Sequence, residues 1–219
     1  MNKNARFLSK SGLAIVLSKL EGFKEPKVRV EQYIMDSEIG AFVLWNAALL
    51  GDIKQKVSVD LGCGTGILGI GALILGAKMV YFVDSDQEAL ETAKENWQKV
   101  KSEGLAFGEA IFLCQDIAEF NEKVDVVFEN PPFGTKVRHA DREFLERALS
   151  LAVVVYSFHK SEGKKFIEAF ARDKNYEVSH SWDFKFPLKA TQRFHTRRIH
   201  RIEVSCFRLE GIYRRENRR

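Results

Sequence analysis

The sequence predicts an α/β fold, an open and mostly parallel sheet of seven strands with helices on both faces, finished by an antiparallel hairpin. Three observations predict it. Five short apolar, β-branched runs recur between Val57 and Phe158, most of them followed by a helical stretch. The first run breaks into a loop with glycine at every second position, Gly62, Gly64 and Gly66, and a helix starts at Ile67. The last two strand-like segments, Glu177–Phe186 and Arg201–Leu209, alternate apolar and polar residues with no helix between them.

Residues 7–21 show loose helical spacing (Leu13, Val16, Leu17, Leu20) and end at Gly22, a C-cap candidate. Pro26 marks a break, and a long apolar helix runs from about Ser37 to Leu50, stopped by Gly51. Gln32 and Tyr33 stand in the lead-in to that helix. Residues 1–51 are thus expected to form a helical extension on a core of residues 52–210, with 211–219 a basic, disordered tail.

Val57–Gly66 reads as strand, glycine-rich turn and helix start, the opening unit of a doubly wound sheet, whose ligands sit at strand carboxyl ends. The spacing is G-x-G-x-G without a lysine, which is neither a dinucleotide fingerprint nor a phosphate loop. Its glycines let backbone approach a ligand and leave amides to face a carboxylate or hydroxyls. Met79–Asp84 is a second strand ending in an acid 18 residues after Gly66, the place of an acid that takes a ribose hydroxyl pair. Asp86 is the N-cap of helix Gln87–Lys101, which leaves Asp84 for a ligand. Ala110–Ile117 is a third strand, with Asp116 reaching for an adenine amine and Ile117 against the ring.

The fourth strand, Val124–Glu129, stops at Asn130-Pro131-Pro132-Phe133-Gly134. Prolines cannot donate ladder bonds and hold the preceding residue extended, so Asn130 is fixed at the strand's end. An Asn, two imino acids and a ring suit a planar, conjugated amine. The Asn130 side-chain carbonyl and Pro131 carbonyl can accept both N–H bonds, freeing a delocalised lone pair, while Phe133 stacks on the ring. Beyond lie the polar loop Thr135–Ala140 with Lys136 and Arg138, a helix capped by Asp141, a fifth strand Ala152–Phe158 followed by His159 and Lys160, and helix Ser161–Asp173. The loop Pro187–His200 interleaves Arg193, Phe194, His195, Arg197 and Arg198, a pattern shared by nucleic-acid contacts and solvated hairpins.

The chain has 219 residues, 45% apolar and 29% charged, enough for one full core. No apolar run approaches the ~20 residues of a membrane span, and no signal-peptide pattern opens the chain, so it reads as cytoplasmic. Cys63, Cys114 and Cys206 fit neither a disulfide framework nor a zinc site, and no metal is expected. Charge is uneven: residues 1–29 carry seven Lys/Arg against two Glu, residues 30–184 a net of −9, and residues 185–219 a net of +8. Basic ends around an acidic middle suit a gripped polyanion, though a solvated surface reads the same way.

A crevice collecting the glycine loop, Asp84, Asp116 and Asn130 fits S-adenosylmethionine, with its carboxylate, ribose, adenine and transferable methyl. Asp60-Leu61-Gly62-Cys63-Gly64-Thr65-Gly66 and Asn130–Lys136 (NPPFGTK) resemble motifs of the Rossmann-like class I amino-methyltransferases. Glu31-Gln32-Tyr33, Ser157-Phe158-His159-Lys160 and Phe194-His195 are similar to segments of the methyltransferase-like protein five family, over roughly Lys10 to Leu209.

The resemblance implies an enzyme that methylates adenosine N6 in small-subunit ribosomal RNA, with S-adenosyl-L-homocysteine as product. It implies that Gln32, Gly62, Thr65, Ile67, Asp84, Asp116 and Ile117 contact the cofactor, with Tyr33, Asp60 and Gly64 in the same motifs, and that Asn130–Phe133 holds the adenine. Lys136, Arg138, Phe158, His159, Lys160 and the Arg193–Arg198 cluster are the expected RNA contacts, Phe158 as a second wall for the base. Ile34-Met35 replaces the family's Pro-Thr, which removes an expected hydroxyl contact at Met35. The family also works with a small zinc-binding activator, expected to pair with the edge strand near Ile111–Leu113, so the chain is a monomer or a heterodimer.

Two competing readings stay open. Guanine N2 or a protein glutamine amide is also a planar amine, and a non-enzymatic rRNA-binding or assembly factor could retain the crevice.

Overall fold

The computed structural model describes residues 9–24, 34–106, 108–132, 140–188 and 200–212. Gln32, Tyr33, Phe133, Lys136, Arg138, Arg193, Phe194, His195, Arg197, Arg198 and the tail from Tyr213 lie outside the described residues.

Seven strands form one sheet in the order β3-β2-β1-β4-β5-β7-β6. They are β1 (Val57–Leu61), β2 (Met79–Asp84), β3 (Glu109–Cys114), β4 (Val126–Glu129), β5 (Val154–Lys160), β6 (Tyr176–Leu188) and β7 (His200–Gly211). The first five are parallel, and β7 is antiparallel to both β5 and β6. After β3 the chain returns from the sheet edge to lie beside β1. The connections therefore reverse direction between β1 and β4, and such a switch point opens a crevice at the strands' carboxyl ends.

β1 and β4 are buried on both faces, β4 with the continuous apolar run Val126–Phe128 and β1 with Ser58 and Asp60 among its buried residues. Helices α1 (Lys10–Leu17), α2 (Ser37–Leu49), α3 (Ile67–Ile74) and α4 (Gln87–Ser102) share one apolar cluster with Phe82, Phe128, Tyr156 and Phe158. Helices α5 (Ala140–Leu151) and α6 (Lys164–Asp173) cover the other face against Val59, Val127, Val155 and Phe207. Asp36 caps α2 by accepting from the amides of Glu38 and Ile39, and Asp86 caps α4 through Glu88. α2 and α3 cross closely at Gly71, where a Cβ would meet Leu44 Cδ1 at 2.4 Å. A buried cluster ties the end of α2 to the sheet: Arg208 donates to both Asp52 oxygens (2.7 and 3.2 Å), and Tyr156 donates to Asp52 Oδ2.

Several boundaries differ from expectation. β5 starts at Val154 and continues through His159 and Lys160, because β7 extends the ladder by pairing Ser205 and Val204 with them. α1 stops at Leu17, five residues before Gly22. Asp141 lies in the first turn of α5 rather than capping it, and α6 begins at Lys164 after a single 3-10 turn over Ser161–Gly163. β3 ends at Cys114, which places Asp116 beyond the strand. As expected, β3 is an edge strand and β6 and β7 form the closing hairpin.

Candidate active site

The loop after β1 runs through three left-handed glycines, Gly62 (φ 69°), Gly64 (φ 51°) and Gly66 (φ 85°). A Cβ on Gly62 would stand 2.6 Å from the Phe144 ring, and one on Gly64 would stand 2.9 Å from Phe23. Conformation and space both demand glycine there.

Backbone donors hold the acids around this loop. Asp84 Oδ2 accepts from the Gly64 amide at 2.7 Å, and Oδ1 accepts from the Asp86 amide at 2.8 Å. Asp84 is therefore not left wholly for a ligand, as the sequence suggested; it also clamps the loop. Asp60, 2% exposed, accepts from the Gly69 amide inside α3 at 2.7 Å. Asn96 on α4 donates to the Thr65 and Glu21 carbonyls and accepts from the Glu21 amide, pinning loop and N-terminal segment together.

A cavity of about 360 Å³ opens at this point. It is lined by Asp60, Gly62, Gly64, Thr65, Ile67, Asp84, Ile117, Asn130, Pro131 and Pro132, so the structure brings ten of the sequence-predicted residues together. Its described lining holds three carboxyl groups, those of Asp60, Asp84 and Asp86, and no Lys, Arg or His. Burial pushes Asp60 up to about 8 against the pull of the Gly69 amide, with the charge of Asp84 adding to the rise. Burial likewise raises Asp84 above the usual carboxylate range, opposed by the amides of Asp86 and Gly64.

On the β4 side stands Asn130. Its side-chain Oδ1 is buried and accepts no hydrogen bond, one of three such atoms among the described residues with Glu129 Oε2 and Ser58 Oγ. A buried acceptor left unpaired costs roughly 1–3 kcal/mol, which a donor bound in the cavity would relieve. Pro131 is buried and Pro132 half-buried, and both line the wall beside it.

Three expected contacts fall elsewhere. Asp116 does not line the cavity; its Oδ1 caps the 3-10 turn by accepting from the Ala118 amide at 2.8 Å. Phe158 is fully buried and packs near Phe184, because strand alternation turns it toward α2 and α3 rather than toward the crevice. It cannot wall a base without leaving the core. His159 is 4% exposed and bonded to Ser157, which removes it from the surface where RNA would lie. Lys160, at the end of β5, is half-buried.

Sequence reasoning missed Phe23, Ser85 and Phe144, which also line the cavity, and Asn96, which anchors it. Cys63 and Leu68 sat inside the glycine motif and were findable there, whereas Phe23 and Phe144 arrive only through tertiary packing. Met35 lines the cavity as a buried apolar surface, where the resemblance implied a hydroxyl.

With this geometry in place, the relatives agree with one another. Residues 39–177 match the family described as Conserved hypothetical protein 95. An uncharacterized protein of Methanocaldococcus jannaschii is 34% identical over 94% of this chain and 95% of its own. The rRNA N(6)-adenosine-methyltransferase METTL5 of Danio rerio is 32% identical over 88% of this chain and 94% of its own. Among solved structures, a candidate RNA methyltransferase from Pyrococcus horikoshii superposes with a TM-score of 0.84 at 42% identity, covering 93% of this chain and 98% of that one. By sequence and by fold, this chain belongs to the Conserved hypothetical protein 95 family and to the METTL5 methyltransferases.

Proposed function

We propose that this chain transfers a methyl group from the sulfonium of S-adenosyl-L-methionine to the exocyclic N6 of an adenosine in small-subunit ribosomal RNA, releasing S-adenosyl-L-homocysteine, the methylated nitrogen losing its extra proton to water. The observation that carries the reading is the buried, unpartnered Oδ1 of Asn130 at the wall of an acid-lined cavity. Adenine N6 carries two N–H groups and a lone pair delocalised into the ring. Asn130 Oδ1 and the Pro131 carbonyl would accept those N–H bonds, which favours a pyramidal, nucleophilic nitrogen. The prolines make the acceptors rigid, so little reorganisation remains at reaction.

The residues present fit the cofactor. Gly62, Gly64 and Thr65 would hold it along the loop, Asp84 would take its ribose, and Ile117 and Met35 would flank its adenine. A lining that carries Asp84 and Asp86 and, among the described residues, no Lys, Arg or His suits its positive charge. When bound, it supplies an electrophilic methyl on a sulfonium. The protein's own part is to orient the amine and exclude competing water, and positioning supplies most of the rate. The target adenosine must leave its stack to enter, at a cost of a few kcal/mol unless already unpaired. The basic segments 1–29 and 185–219 support RNA as the polyanion.

A small zinc-binding activator protein would complete the enzyme by adding a strand to β3. Supporting this, among the described residues β3 pairs only with β2, and its Ile111, Phe112 and Leu113 are half-buried along the sheet edge.

Labelled methyl transfer to total RNA, followed by digestion to nucleosides, tests the reading. Label in N6-methyladenosine from the small subunit is expected. Label in guanosine or in protein glutamine moves the acceptor, and no label from an active-site-intact preparation with its partner present leaves an assembly factor.

A further inference from the structure

A buried hydrogen-bonded chain crosses the ends of β4 and β5, one residue before Asn130. Ser157 Oγ lies 2.5 Å from Glu129 Oε1 and 2.7 Å from His159 Nε2. Glu129 and Ser157 are wholly buried, and His159 is nearly so. Glu129 and Ser157 are ladder partners, and the two-residue period of β5 puts His159 on the same face, its ring 6.1 Å from Phe207. None of the three lines the cavity.

Sheet packing alone does not call for these residues. Val127 and Val155, two positions earlier on the same face, show what the core accepts there. A buried polar cluster replaced by apolar groups of similar volume is often neutral or stabilising, so a pure stability role is a weak account. Burial pushes Glu129 up to about 8 and His159 down to about 3, leaving both neutral near neutrality. No charge therefore needs a counter-ion, and what remains is direction. A hydroxyl has one proton, so Ser157 donates to one neighbour and accepts from the other, which orients all three side chains together.

We propose that Glu129, Ser157 and His159 are positioning residues that fix the carboxyl end of β4 so that the Asn130 carbonyl meets the target amine. The inference rests on the methyl-transfer reading above. Glu129 is held by backbone pairing to Leu61 on one side and Ser157 on the other, and it is the last laddered residue before the corner. Its side-chain anchor removes the remaining freedom to tilt, which would pass through one peptide to Asn130 and Pro131. The arrangement also accounts for the S-x-H spacing of β5, which a surface RNA contact does not.

The test compares full-length wild type with Asn130→Ala, Ser157→Ala, Glu129→Val and Glu129→Gln in methyl transfer to ribosomal RNA, alongside cofactor Kd and RNA KM. Ser157→Ala and Glu129→Val should lower kcat by about ten- to a hundredfold, as expected for a displacement near 1 Å, with Kd and KM within about twofold. Glu129→Gln, a neutral isostere that keeps the bond to Ser157, should hold kcat within about threefold of wild type. The inference fails if Ser157→Ala keeps wild-type kcat, or if cofactor binding falls in step with kcat, which marks a merely structural role. Should Ser157→Ala not fold, the Glu129→Val and Glu129→Gln pair decides, and equal rates overturn it. A wild-type chain that binds cofactor but methylates no RNA instead sinks the function itself, and this inference with it.

Discussion

The two halves of the crevice are built differently. On the β1–β2 side, Asp60 and Asp84 already accept backbone amides, and Asn96 secures the loop from behind. On the β4 side, Asn130 Oδ1 has no hydrogen-bond partner. The first half is a finished cradle whose geometry exists before any ligand. The second carries an unmet acceptor that only an incoming donor satisfies. A cofactor that binds the same way in every turnover suits the first, and an acceptor amine that must be activated suits the second.

The sharpest way to break this contrast is Asn130→Ala. Methyl transfer should fall by about a hundred- to a thousandfold while cofactor Kd stays within about twofold, read by single-turnover methylation and calorimetry. Equal losses in both would mean that the two halves are one unit.

On the cradle side, Gly62→Ala introduces a Cβ 2.6 Å from Phe144 at positive φ. Cofactor affinity should drop about tenfold, with a stability loss of about 1–3 kcal/mol. Adding Phe144→Ala should recover the part due to collision and not the part due to φ, a division that denaturant melts of the four variants can measure.

Asp84→Asn should weaken cofactor binding more modestly, by about three- to tenfold, because one charge-assisted contact is lost while the loop's backbone bonds can persist. Because burial raises the Asp84 carboxyl, the loss should grow as pH rises if ionised Asp84 is the binding form.

The smallest effect concerns stability without ligand. Asp60 and Glu129 are raised from 3.8 and 4.5 to about 8, so the folded state holds protons that the unfolded chain has released. Their contribution is full below the unfolded values and is lost as pH climbs through about 8. His159, lowered from 6.5 to about 3, acts oppositely, its contribution being lost as pH falls through that range. Tm should therefore decline between about pH 6.5 and about pH 8 and level off above it, and Glu129→Gln should flatten part of that slope, as should Asp84→Asn, whose carboxyl is raised in the same direction.

Much of this was legible in the sequence because it is local. Val57–Gly66 spells strand, turn and helix with its own residues, and two prolines after Asn130 stop a strand wherever the chain goes. The cap at Asp86, the edge position of β3 and the antiparallel finish followed from pattern and order. Phe158 and His159 were misplaced because period-2 alternation assigns residues to faces without saying which face meets the crevice. Asp116 stands outside the cavity lining because β3 ends with its apolar run at Cys114, two residues earlier, and a capping role takes the same carboxylate.

By itself, then, the order of amino acids determined the strand-and-helix succession, the glycine loop and the proline-braced Asn130, since each depends on backbone sterics within a few residues. Tertiary structure alone decided that Phe23 and Phe144 close over the glycines, that Asp84 clamps Gly64, and that Glu129, Ser157 and His159 join hands behind Asn130. Those contacts link elements far apart in the chain, and their partners are chosen by how two helical layers settle on a twisted sheet.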